Sequence, residues 1–85
     1  MMDDAKYLAV GRIFLEETKA SMPVPAKLTP EARAWHAALM RRCSERSERE
    51  QGVSFAEWQD ARPSPGGRAA YGKMVEEILG EPGPS

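Results

Sequence analysis

The chain has 85 residues, twelve of them basic and thirteen acidic, for a formal net charge of −1. That length holds one domain, near the lower limit at which a single core stays folded unaided, and leaves no room for a second. The balanced charge supplies no net field to draw the protein toward nucleic acid or an anionic membrane. Split after Arg42, the halves carry seven basic against five acidic residues and then five against eight, or +2 and −3. The asymmetry is too small to imply a charged partner. About twenty large apolar residues face the ordering entropy of the whole chain, so the opposing sums nearly cancel. A homodimer contact or a bound protein partner would add the missing burial.

Cys43 is the only cysteine, so no intramolecular disulfide is possible, and a reducing cytoplasm is the expected setting. No basic stretch followed by an apolar run marks a signal peptide, and no apolar run is long enough to span a bilayer. The weight of Ala, Arg, Gly and Pro has the look of a GC-rich bacterial or phage coding bias.

The first helical pattern opens at Asp3 or Asp4 and runs to about Ala20, where Ser21, Pro23 and Pro25 stop it. At 100° per residue, Tyr7, Leu8, Val10, Phe14, Leu15 and Thr18 share a broad face, opposite Lys6, Glu16, Glu17 and Lys19. Ile13 falls outside that face, which makes it a candidate contact with another chain. Gly11 sits on the apolar side, where a second helix could come close. Residues 21–28, SMPVPAKL, read as an extended linker with Met22, Val24 and Leu28 tucked beneath it.

Thr29, Pro30 and Glu31 form a start signal of capping residue, first-turn proline and first-turn acid, and Gly52 is a matching stop. Between them Ala32, Trp35, His36, Leu39, Met40 and Cys43 share one face. Beyond Cys43 that face has no apolar continuation, and Arg46, Ser47 and Glu50 take over its positions. Arg41 with Glu45, Glu45 with Arg49 and Arg46 with Glu50 are spaced as opposite-charge pairs, so this end can stay helical while projecting into water.

After Gly52, Ser54 and Glu57 have the spacing of a capping box, and Val53 and Trp58 that of a hydrophobic staple. Pro63 ends this short helix near Ala61, and Ser64-Pro65-Gly66-Gly67 reads as a flexible break. From Arg68 to Leu79 the residues Tyr71, Met74, Val75, Ile78 and Leu79 make a last apolar stripe, closed by Gly80. The expectation is an all-α domain over residues 1–80, a small bundle with main helices at 3–20, 30–51 and 67–79 and a short one at 55–61. A disordered tail is expected at 81–85.

No enzyme, cofactor or metal is indicated. His36 and Cys43 lie two helical turns apart, about 10 Å along the axis, beyond hydrogen-bond reach and too far to share a metal ion. Adjacent carboxylates such as Glu16 with Glu17 and Glu76 with Glu77 point about 100° apart and read as solvated charges. Gly66-Gly67 lacks both the phosphate fingerprint and a lysine directly behind it.

The stretch SEREQGVSFAEWQDA resembles the turn of a helix-turn-helix DNA-binding unit. Gly52 stands as the turn glycine, Val53 as the apolar residue after it, and Trp58 and Ala61 as anchors of the second helix. The resemblance covers about fifteen residues, and Glu48 and Gln51 stand where that family has small or apolar ones. It implies a reading helix at Phe55–Ala61, but Glu57 and Asp60 there would repel the phosphate backbone.

The favoured expectation is a protein-binding module, a regulator, adaptor or inhibitor that occupies a surface of a larger partner. A DNA-binding protein and a structural subunit of an oligomeric assembly are the alternatives. Arg41, Arg42, Arg46 and Arg49 form a set of planar donors suited to carboxylates of a protein partner. Trp35 or Trp58 would supply an aromatic anchor beside them, with Ile13 as a further contact.

Overall fold

A computed structural model describes residues 2–23 and 27–80. The expected tail at 81–85 and the linker's Val24 lie outside them. The described chain is all-α: α1 (Asp4–Ala20), α2 (Pro30–Arg46), a π-helical turn (Ser47–Gln51), α3 (Phe55–Asp60) and α4 (Pro65–Leu79). Each helix starts as its sequence dictates. Asp3, Thr29, Ser54 and Ser64 each stand at the N-cap and accept bonds from free amides of the first turn, those of Lys6, Ala32, Ala56 with Glu57, and Gly67 respectively. Gly52 (φ 66°) and Gly80 (φ 85°) take the positive φ that glycine permits at a helix stop.

The fourth helix departs from expectation. Ser64-Pro65-Gly66-Gly67 is its cap and first turn rather than a break. Two glycines lower helix propensity, yet Ser at the N-cap and Pro at the first position are a strong start signal. Gly67 also answers a tertiary need. A Cβ there would lie 2.9 Å from the Asp4 carboxylate, which accepts bonds from the Ser64 amide (3.2 Å) and hydroxyl (2.5 Å). These bonds hold the Asp4 carboxyl below its usual range.

Asp4 therefore joins the start of α1 to the start of α4, while Gly11 meets Tyr71 further along. The two helices run in the same direction. A Cβ on Gly11 would come within 2.7 Å of the Tyr71 ring and 3.4 Å of Trp58, so the missing side chain is what lets the aromatic rings reach the α1 backbone. Burial pushes the Tyr71 hydroxyl up to about 12.

α1 packs against α4, α2, the π turn and α3, with Tyr71 of α4 and Trp58 of α3 both over Gly11. That position corrects the expectation for Ile13, which is only 3% exposed and offers no external contact. Lys6, Val10, Ile13 and Glu17 form a second stripe on α1, spaced by one turn each. The Lys6 ammonium donates to the Gln51 carbonyl at 2.9 Å, Val10 joins Leu39 and Cys43 in the core, and Glu17 meets two arginines of α2. A helix with four neighbours buries more of its circumference than a single apolar face, which is why Ile13 falls outside that face in the sequence yet is buried.

The core gathers Val10, Leu39, Cys43, Phe55 and Trp58. Of the six aromatic residues, five touch within it: Trp58 lies against Tyr7, Phe14, Phe55 and Tyr71, at ring separations of 5.2 to 5.9 Å. Its indole N–H donates to the Tyr7 carbonyl at 2.9 Å. Trp58 is 8% exposed and cannot act as an external anchor.

Candidate functional site at the charged end of the second helix

The arginines of α2 do not form one surface. Arg46 reaches back across α1. Its Nη1 meets Glu17 at 3.1 Å and its Nη2 meets Glu16 at 3.2 Å, while Nε and Nη2 form a two-pronged contact with Glu50 at 2.9 and 3.2 Å. Planar guanidinium geometry makes such a junction possible. Glu50 and then Glu17 hold the Arg46 charge in place, and Arg46 in turn keeps the Glu50 carboxyl below its usual range. Arg42 donates from Nε to Glu17 at 3.0 Å and from Nη2 to the Ser21 hydroxyl. Glu16 and Glu17, expected as solvated charges, are thus the partners that dock α2 on α1.

The segment expected to project into water is braced instead. Of the three charge pairs expected along this helix, Arg46 with Glu50 forms; Arg49 turns to Glu50 at a looser 3.7 Å. Ser47 continues the buried face, fully enclosed, with its hydroxyl donating to the Val53 carbonyl at 2.5 Å. The π turn accommodates this, because an i→i+5 bond admits one extra residue per turn and changes the register of everything after it. The turn closes through Gly52 N–H to the Glu48 carbonyl (3.1 Å) and Val53 N–H to the Ser47 carbonyl (3.4 Å).

Arg41 and Arg49 remain outward, Arg49 with 67% of its side chain exposed. At the other end of α2, Trp35 is half-buried and donates from its indole N–H to the Ser21 carbonyl at 2.7 Å. Ser21 therefore bridges Trp35 and Arg42. Met22 and Leu28 were expected beneath the linker, yet Met22 is 47% and Leu28 91% exposed.

His36, expected on the packed face, is exposed at its edge, whereas Cys43 is fully buried and its thiol is pushed up to about 11 by burial. A thiol so held is a poor nucleophile. The turn glycine of the helix-turn-helix resemblance does take its left-handed conformation. But α3 is six residues long and sinks Phe55 and Trp58 into the core, presenting Ala56, Glu57, Gln59 and Asp60 outward.

The sequence did carry one signal for the brace. Lys6, Val10, Ile13 and Glu17 form a stripe with charges at both ends and apolar residues between, the pattern of a face that packs and is then sealed by ion pairs. No described helix is long and apolar enough to cross a membrane. Comparison with protein-family models, with curated proteins and with solved structures finds no match.

Proposed function

We propose that the chain is a small non-enzymatic protein-binding module, a regulator, adaptor or inhibitor that covers a surface of a larger partner in a reducing cytoplasm. The contact surface is the outward side of α2 and the connection before it, with Met22, Leu28 and the open edge of Trp35 at one end and Arg41 and Arg49 at the other. The observation that carries this reading is the exposure of Leu28 (91%) and Met22 (47%) on the connection whose Ser21 binds Trp35. Tryptophan and arginine are the residues that most often dominate binding energy at protein interfaces, and an adjoining apolar side chain left in water gains from being covered.

Arg42 and Arg46 are excluded from this surface as test positions, since reversing them would break the brace on α1. The discriminating variants are Arg41→Glu with Arg49→Glu, and Leu28→Ser. Both should keep the circular dichroism and urea midpoint of the parent while losing the protein that the parent captures. Unchanged recovery by both variants would refute the assignment.

A further inference from the structure

A depression lies away from α2, between the start of α1 and α3. It encloses about 620 Å³ and is lined by Met2, Asp3, Lys6, Val53, Glu57, Asp60, Ala61 and Arg62. Its floor is apolar: Met2 and Val53 pack against the core, and Ala61 is half-buried beside them. Its rim is acidic. Asp3, Glu57 and Asp60 are all exposed, and none has a cation within ion-pair distance among the described residues. The Asp3 carboxylate is oriented by the Lys6 amide (2.8 Å), while the Lys6 ammonium is committed to the Gln51 carbonyl (2.9 Å). Three carboxylates thus face two cations, Lys6 and Arg62, which leaves the lining with a charge of −1 and the three carboxylates without an ion-pair partner among the described residues.

We propose that this groove docks a short basic amphipathic segment of another protein, its apolar side chains on Met2, Val53 and Ala61 and its lysines or arginines toward Asp3, Glu57 and Asp60. Sign and shape argue together. An apolar floor attracts the buried side of an amphipathic segment, and unpaired rim carboxylates favour cationic flanks and disfavour acidic segments and nucleic acid. Glu57 and Asp60, three apart on α3, stand on one side of that helix, and Asp3, the N-cap of α1, lines the same groove. The surface is separate from the outward side of α2, so this inference does not rest on the function proposed above.

The test is fluorescence anisotropy with a labelled amphipathic leucine/lysine peptide. The comparison probes are a leucine/glutamate peptide of the same pattern and a scrambled leucine/lysine peptide. The full chain should bind the first saturably and the other two at least about tenfold more weakly, with affinity falling as salt is added. Glu57→Gln with Asp60→Asn removes the charge with little change in shape. That variant should lose about tenfold in affinity at an unchanged urea midpoint, whereas Glu76→Gln with Glu77→Gln on α4 should bind like the parent. No saturable binding, equal binding of the scrambled peptide, or equal losses in the two double variants would overturn the proposal.

Discussion

Two stretches of α1 are gripped by different chemistry. Along Tyr7, Gly11 and Phe14 it meets the rings of Phe55, Trp58 and Tyr71, and the hold at these three residues is apolar area with one indole hydrogen bond. At its far end, Glu16 and Glu17 meet Arg42 and Arg46, with a fully buried serine where the apolar face of α2 has run out. Burial of aromatic surface is nearly independent of salt and pH, whereas ion pairs at partly exposed positions are worth roughly 0 to 1 kcal/mol each and are screened. The first grip therefore carries the stability, and the second sets where the end of α2 lies.

The largest effect expected from breaking this contrast is at Trp58. Trp58→Ala should cost about 3 to 5 kcal/mol, a large share of the roughly 4 to 13 kcal/mol available to a domain of this length. Urea denaturation followed by circular dichroism measures it. A loss below about 1 kcal/mol would mean that the aromatic cluster is not the main hold.

A smaller effect is expected at the brace. Ser47→Ala removes the donor to the Val53 carbonyl without changing the backbone, and should cost about 1 to 3 kcal/mol for the unsatisfied acceptor. It should also speed amide exchange at Gly52 and Val53, whose N–H groups close the π turn. Amide exchange left unaltered by the substitution would separate the hydroxyl from the turn.

The smallest effect is a pH dependence. The carboxyls of Asp4 and Glu50 lie below their usual range in the folded chain, Asp4 through its bonds from Ser64 and Glu50 through Arg46. The folded state thus binds these protons less readily than the unfolded one. The stability they add is present above the ordinary carboxylate range, about pH 4, and is lost as pH falls through the folded values. The urea midpoint should decline on acidification below about pH 4, and the decline should shrink in Asp4→Asn. A midpoint that rises on acidification would reverse the sign of the argument.

What the sequence could tell divides along the same line. Thr29, Ser54, Gly52 and Gly80 announce helix ends through local chemistry, and local chemistry is visible in a sequence. The apolar stripe of α4 and the small size of Gly11 were legible for the same reason. Ile13 was misplaced because α1 has four packing neighbours, and the number of neighbours a helix will have is not written in its own period. Glu16 and Glu17 read as solvated in the sequence because their partners lie 25 to 30 residues away in the chain, beyond any i,i+4 rule. Gly67 looked like a breaker because the Asp4 carboxylate that requires it comes from the opposite end of the sequence. Of the expected contact residues, Arg41 and Arg49 are outward and Trp35 half-open, whereas Ile13 and Trp58 belong to the core and Arg42 and Arg46 to the brace.

The most direct test of the division between brace and contact surface is a double-mutant cycle on Arg46→Ala and Glu17→Ala, read by urea denaturation at low salt. Coupling of about 0.5 to 1 kcal/mol is expected, falling toward zero in high salt, because the pair is partly buried and joins two helices. Additive losses, with no coupling at low salt, would contradict it and return Arg46 to the outward surface of α2.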